Sequence, residues 1–113
     1  MANTSELLRG HTDTILLTRL TEGDSYGYEL SRAIAQQTAG ALELKEATLY
    51  TAFRRLEEGG LITSYWGEGS QGARRRYYSI TEAGRAACAE GRAQWLALRN
   101  MMDALLIRKD ETL

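Results

Sequence analysis

The chain has 113 residues, of which 43% are hydrophobic and 26% charged, and its formal net charge is -1. This composition is typical of one ordinary globular domain. With a single cysteine, Cys88, and a single histidine, His11, the sequence excludes an internal disulfide and offers no metal-ligand spacing, so neither a metal nor a cofactor is expected. Because no segment has the apolar length of a membrane span or the pattern of a signal peptide, we expect a cytoplasmic protein with no membrane partner.

Charge is unevenly distributed along the chain. Residues 1–40 contain three basic and five acidic side chains, whereas residues 69–79 contain three consecutive arginines and no acid. A nearly neutral protein with one concentrated basic segment is expected to attract a polyanion locally rather than over its whole surface.

Two helices are predicted in the first part of the chain. Apolar residues recur at helical spacing from Glu6 to Leu20, although Gly10 weakens this helix. Ser25 is the predicted N-cap of a second helix, which runs from Tyr26 to about residue 38.

A third helix is predicted over residues 46–58. Four apolar residues in this segment are spaced as one stripe, which predicts that one face of the helix is buried: Leu49, Ala52, Phe53 and Leu56. The opposite face and its approach carry groups suited to phosphate oxygens and base edges: Lys45, Thr48, Tyr50, Thr51, Arg54 and Arg55. The alternative is an ordinary solvated helix face, to which Glu57 and Glu58 would belong.

Two β-branched and aromatic segments, LITSYWG at 61–67 and RRYYSI at 75–80, predict a hairpin with the long glycine-rich connection EGSQGAR. Alternation along the second strand places Arg74 and Arg76 on one side and Arg75 on the other, and divides Tyr77 from Tyr78. The glycines permit close backbone approach, and the guanidinium groups can bind phosphate at two points. A loop that serves only solubility is the alternative.

A long helix is predicted after the hairpin, from Thr81 as N-cap to about residue 109. Its residues Trp95, Leu98, Met102 and Leu105 are spaced 3, 4 and 3 apart, which indicates a seam that pairs with another helix, most simply in a homodimer. From the pattern alone, Trp95 is either a packing anchor of this seam or an aromatic platform for a flat ligand.

The order of these elements predicts a mainly α protein with a small β-hairpin, namely a winged helix-turn-helix followed by a long C-terminal dimerisation helix. Residues 1–80 are expected to form the DNA-binding unit and residues 81–113 the dimerisation helix. No Ser-His-Asp arrangement or phosphate-cradling glycine motif is present, and His11 is interpreted as a residue on the surface of a helix rather than a general base, so no enzyme is expected.

Three segments together resemble one family. YGYEL, EATLYTAFRRLEEGGLITSYW and GSQGARRRYYSITEAGR are similar to the PadR-type transcriptional regulators, a resemblance that extends from about Leu7 to Leu106. The family implies a winged helix with a tyrosine in its DNA-reading helix and an Arg/Lys-Tyr-Tyr strand in its wing. Where many members have a proline after that tyrosine, this chain has Thr51.

The single long C-terminal helix is similar to that of the short members, the LmrR-type multidrug-responsive repressors. That likeness implies a homodimer with a pore at its centre, where Trp95 of each copy holds a flat aromatic compound, and it favours the platform over the packing anchor. It places Thr14, Leu17 and Thr18 along the pore wall. Arg99, one turn after Trp95, is also expected at the ligand site, and no carboxylate is closer on that side than Asp103, an arrangement that does not favour a cationic ligand.

We therefore expect a homodimeric repressor that binds a palindromic operator in double-stranded DNA and is released by a planar hydrophobic or aromatic compound. The alternative is a protein-interaction module, in which the winged helix docks a partner protein and no small molecule is bound.

Overall fold

The structure of the chain, a computed structural model, describes residues 7–69 and 72–107. The helices and strands that lie wholly within these ranges are α1 (Thr12–Leu20), β1 (Ser25–Tyr26), α2 (Gly27–Gln37), α3 (Glu46–Glu58), β2 (Ile62–Glu68), β3 (Arg74–Ile80) and α4 (Glu82–Leu106). The predicted class, a winged helix-turn-helix followed by a long helix, is confirmed. The third helix has the predicted bounds.

The first helix begins later than predicted. Gly10 has φ +88°, a left-handed conformation that a helix cannot continue through, and the N–H of His11 donates to the carbonyl of Leu8 in a turn. Helix α1 therefore starts at Thr12. The predicted start at Glu6 lies outside the described residues.

Ser25 is not the N-cap of the second helix. It is buried and pairs with Tyr78 of β3, so that β1 adds a third strand to the predicted hairpin, in the antiparallel order β1-β3-β2. Its hydroxyl donates to Glu29 Oε1, while α2 begins at Gly27 without a side-chain cap. The two-residue length of β1 explains why no strand periodicity was visible in the sequence.

The sheet is fixed to α3 by its central strand. Tyr78 of β3 is buried and stacks on Phe53 of α3, with ring centroids 3.9 Å apart, and this burial raises the pKa of the Tyr78 phenol. Around this pair lies a single core from α1, α2, α3, the sheet and the start of α4. Its largest fully buried side chains are Phe53, Leu16, Leu17, Leu20, Leu30, Leu56 and Ile62.

Helix α4 begins in the core and extends beyond it. The Thr81 hydroxyl accepts from the N–H of Gly84 at 3.0 Å, which confirms the predicted N-cap. Gly91 lies so close to α1 that a Cβ atom there would overlap the Thr14 side chain. Only Gly84 and Cys88 of this helix are buried, and most of its C-terminal half is exposed in the described chain. The predicted end near residue 109 lies outside the described residues.

Candidate nucleic-acid interface and apolar groove

Helix α3 presents a polar face because its apolar stripe holds the opposite face in the core. Leu49, Ala52, Phe53 and Leu56 are all buried, as predicted. The exposed residues of the face and its approach are Lys45, Thr48, Thr51, Arg54 and Arg55. Lys45 occupies the N-cap position in an extended conformation, so its charge adds to the positive end of the helix dipole.

Tyr50 lies at the edge of this face. It is 44% exposed, and its ring makes an edge contact with Phe53, with centroids 5.8 Å apart. A Cβ atom on Gly27 would lie 3.1 Å from the Tyr50 hydroxyl, so the ring reaches across to the start of α2. Tyr50 thus both packs between two helices and leaves nearly half of its surface available to a partner.

Among the residues predicted on α3 to bind DNA, Arg55 forms an ion pair with an acid in the described part of the chain. Its Nε and Nη2 donate to the two carboxylate oxygens of Asp13 in α1, at 3.2 and 2.5 Å. These hydrogen bonds raise the pKa of the guanidinium. The contact joins residues 42 positions apart, so no local sequence pattern predicts it. Neither Lys45 nor Arg54 takes part in an ion pair among the described residues.

A small polar groove lies between the N-terminal end of α1 and this face of α3. Its volume is about 300 Å³, and it is lined by Thr12, Ala47, Thr48, Thr51, Ala52 and Arg55. Short hydroxyls beside a guanidinium are groups that bind phosphate oxygens. Thr12 belongs to this surface, although sequence reasoning did not select it.

The wing consists of β2, β3 and their connection, and its arginines alternate as predicted. Arg74 lies over Trp66 on one face of the sheet, with its guanidinium carbon 5.6 Å from the ring centroid. Arg75 lies over Tyr26 on the other face, at 4.4 Å. Tyr77 is on the outer face with Tyr26, whereas Tyr78 is buried. Residues 70 and 71, at the tip of the loop, lie outside the described residues.

Arg76 shares a face with Arg74 but is directed back towards α3. Its Nη2 lies 3.3 Å from Glu57 Oε1, and its Nε and Nη2 both donate to the hydroxyl of Ser64. Ser64 in turn donates to Glu57. Arg76, one of the wing arginines predicted to bind phosphates, therefore also connects the wing to α3.

An apolar groove lies on another side of the molecule, between α1, the end of α2 and α4. Its volume is about 770 Å³. Trp95 lines it and is 46% exposed, and the ring of His11 meets the indole edge-on at 5.7 Å. Thr14 and Thr18 line the same groove, so three of the residues predicted for a ligand site lie together.

Two other residues predicted for the ligand site lie elsewhere. Leu17 is 2% exposed and belongs to the core, because α1 turns this residue away from the groove; Ile15 lines the wall instead. Arg99 is exposed on α4 and does not line the groove. The arginine of α4 that lines the groove is Arg92.

His11 is a groove residue that sequence reasoning passed over as an ordinary residue on the surface of a helix. Its spacing of three, four and seven residues from Thr14, Ile15 and Thr18 is that of one helix face. Extending the periodicity of α1 back by one turn would have selected it.

The predicted seam of α4 is largely open to solvent in the single chain. Trp95 and Met102 are exposed, Leu105 is 73% exposed, and Leu98 is half-buried. Leu96, Met101 and Leu106 add further exposed apolar surface to the same half of the helix.

Comparison with known proteins gives the family. The sequence model of one protein family, the transcriptional regulator PadR-like family, matches residues 16–90. The chain belongs to the PadR-like family. This PadR-like chain is 41% identical to a transcriptional regulator from Clostridium thermocellum, with a TM-score of 0.82 over 91% of this chain and 99% of that one. It is 35% identical to a PadR family regulator from Eggerthella lenta, with a TM-score of 0.78 over 92% and 88%. An uncharacterized protein from Lysinibacillus sphaericus is 40% identical over 102 residues, 90% of this chain and 94% of the relative.

As a PadR-like protein, the chain is a DNA-binding regulator of transcription and not an enzyme. Within residues 7–69 and 72–107, no cluster of acidic, histidine and cysteine side chains could hold a metal ion. Over the same ranges, the structure contains no helix with the length and apolar character needed to cross a membrane.

Proposed function

We propose that this PadR-like regulator is a homodimeric repressor, that it binds a palindromic operator through α3 and the wing of each copy, and that a planar hydrophobic compound at the dimer centre releases it. Residues 1–80 form the DNA-binding unit in this proposal, and residues 81–113 the dimerisation helix.

The observation that carries the DNA-binding part is the polar face of α3. Thr48, Thr51 and Arg54 are exposed on a helix whose other face is packed in the core, so the backbone that carries them is held in place. A rigid helix with short hydroxyls and a guanidinium suits the major groove, where arginine pairs with guanine and the hydroxyls reach bases or phosphates. Lys45 and Tyr50 would contact the adjoining backbone.

The wing supplies a second set of contacts in this proposal. Arg74 is exposed near the loop and would hold a phosphate beside the major groove, while Arg75 extends from the other face of the strand. Arg76 would contribute positive potential and hold the wing against α3 through Glu57. Phosphate contacts of this kind fix the register of the protein on the duplex.

Dimerisation is supported by the apolar side chains that α4 leaves exposed. Trp95, Leu98, Met102 and Leu105 follow a heptad seam, and two antiparallel or parallel copies of such a seam bury each other. A two-fold dimer presents two α3 helices to a palindromic site. Its half-sites would lie roughly 34 to 36 Å apart, one turn of DNA, or a multiple of that distance.

Ligand binding is supported by the apolar groove that ends at Trp95. In a dimer paired through α4, the groove of each copy would open towards the other, and a flat compound would lie against the indole, Thr14 and Thr18. Release follows if the compound prefers a spacing of the two α3 helices that fits DNA poorly, since a ligand shifts an equilibrium only by its differential affinity.

The charges of the groove bear on which compounds it would accept. Arg19 and Glu22 form an ion pair at 3.1 Å and offset each other, whereas Arg92 adds a positive charge near Trp95. We therefore propose that planar neutral or anionic compounds bind better than cationic ones.

Binding to DNA is tested by fluorescence anisotropy with a labelled duplex from the region upstream of the protein's own gene, in excess nonspecific DNA. We expect Arg54→Ala to weaken specific binding by about 1–3 kcal/mol per half-site, and Arg74→Ala to weaken binding to all sequences and to reduce the salt slope by about 0.9 per copy, or about 1.8 for the dimer. The matched control is Arg85→Ala, which removes the same charge from an exposed position outside α3 and the wing.

If neither variant weakens binding, α3 and the wing do not contact the DNA as proposed. Complete competition of the wild type by nonspecific DNA would instead favour a protein-interaction module.

A further inference from the structure

Asp13 is an acid within the surface that the proposed function assigns to DNA. It lies in the first turn of α1, and both of its carboxylate oxygens accept from Arg55 of α3. The side chains of the pair are 37% and 54% exposed, so the contact is open to solvent. Exposed ion pairs typically contribute a small amount to folding stability, and the two-point geometry of this pair favours the upper end of their range.

The carboxylate occupies a position that a phosphate would otherwise take. The guanidinium fork of Arg55 binds carboxylate and phosphate with the same two-point geometry. The polar groove beside it supplies hydroxyls from Thr12, Thr48 and Thr51. A phosphate of the DNA backbone that enters this groove gains those donors, but it meets the negative charge of Asp13 and an arginine that is already engaged.

The competition between Asp13 and a DNA phosphate for Arg55 would affect a nonspecific duplex and an operator to different extents. Nonspecific binding comes almost entirely from phosphate contacts, so engaging Arg55 with an internal acid removes one such contact from each copy. At an operator, contacts of Thr48, Thr51 and Arg54 with base edges fix the register of α3 and add affinity, so Arg55 can stay paired with Asp13 at a smaller relative loss.

We propose that Asp13 is a specificity-determining residue, whose carboxylate competes with the DNA phosphate for Arg55 and thereby weakens binding to nonspecific duplex more than binding to the operator. This inference rests on the proposed function, because it requires α3 to face DNA.

The test is a double-mutant cycle of Asp13→Asn, Arg55→Ala and the combination, measured by anisotropy on a random-sequence duplex and on the upstream duplex across a salt titration. On the random duplex, we expect Asp13→Asn to tighten binding by roughly threefold to tenfold at low salt and to steepen the salt slope by about 0.9 per copy, or about 1.8 for the dimer, the value for one added phosphate contact from each chain. We expect a smaller gain on the upstream duplex. With Arg55→Ala present, no arginine is released, so the steepening of the salt slope should vanish and the gain in affinity should shrink to the relief of charge repulsion.

Glu90→Gln is the matched control, because it removes the same unit charge from an exposed position on α4. Equal tightening by Glu90→Gln, or an undiminished gain in the Arg55→Ala background, would show a general charge effect and overturn the inference alone. If the unaltered protein binds neither duplex, the proposed function fails as well. Thermal unfolding of each variant verifies that the fold is retained.

Discussion

Trp95 is the residue on which the proposed ligand site depends. The chain has two tryptophans, Trp66 and Trp95, and both are partly exposed. We expect Trp95→Ala to weaken the binding of a planar dye by at least about tenfold, because a flat ring loses its stacking partner in both copies, and tenfold corresponds to about 1.4 kcal/mol. Isothermal titration of the variant against the wild type measures the loss.

Trp66→Phe is the control, since it leaves Trp95 as the sole tryptophan. The dye should bind this variant with unchanged affinity and quench its fluorescence. Equal dye affinity in Trp95→Ala and the wild type would rule out the groove at Trp95 as the site.

The direction of individual side chains was predictable where a regular period determines it. Strand alternation correctly separated Arg75 from Arg74 and Tyr77 from Tyr78, and the helical stripe identified the buried residues of α3. Leu17 lies in the core, whereas Thr14 and Thr18 of the same helix line the apolar groove. The partners of Arg55 and Arg76 were not predictable, since such ion pairs depend on how separate elements pack.

At the scale of elements, α1 and α4 approach each other closely at Gly91 and Thr14, beside the apolar groove. A Cβ atom at Gly91 would overlap Thr14, so Gly91→Ala should force the two helices apart. We expect a loss of about 1–2 kcal/mol in the free energy of unfolding, because overpacking costs about 1–3 kcal/mol and the gain in helix propensity offsets part of it. Urea denaturation measures this change.

Adding Thr14→Ala removes Oγ1 and Cγ2, the two closest atoms, and leaves the Cβ of residue 14 at 3.2 Å from the new methyl group. The cost of Gly91→Ala should then fall to within about 1 kcal/mol of zero, because the helix-propensity gain offsets the remaining close contact. A Gly91→Ala variant that is more stable than the wild type while Thr14 is intact would contradict the close approach of the two helices.

Element type was more predictable than element ends. Helix α3, the two long strands and the capped start of α4 follow from strong periodicity and an N-cap hydroxyl. Strand β1 could not be predicted, because its two residues are extended only through pairing with β3. The polar groove between α1 and α3 was equally hidden, since it forms only when Thr12 and Thr51 are brought together by packing.

For the whole molecule, α1 connects the two proposed surfaces. Asp13 binds Arg55 of α3, which lines the polar groove, whereas its neighbours Thr14 and Ile15 line the apolar groove. A compound that displaces α1 would therefore also act on the surface proposed for DNA. The molecule is elongated, with extents of 57 × 29 × 22 Å, because α4 extends beyond the core.

In the proposed function, two copies paired through α4 bind one operator. Sedimentation equilibrium of the protein with its upstream duplex measures this directly, compared with Met102→Glu, which places like charges on the seam of both copies. We predict two chains, or a multiple of two, per duplex for the wild type. The variant should be monomeric, with binding about 10²- to 10⁴-fold weaker because the two half-sites are no longer engaged together. A monomeric wild type, or a monomeric Met102→Glu protein that binds DNA with full affinity, would contradict operator binding by a dimer paired through α4.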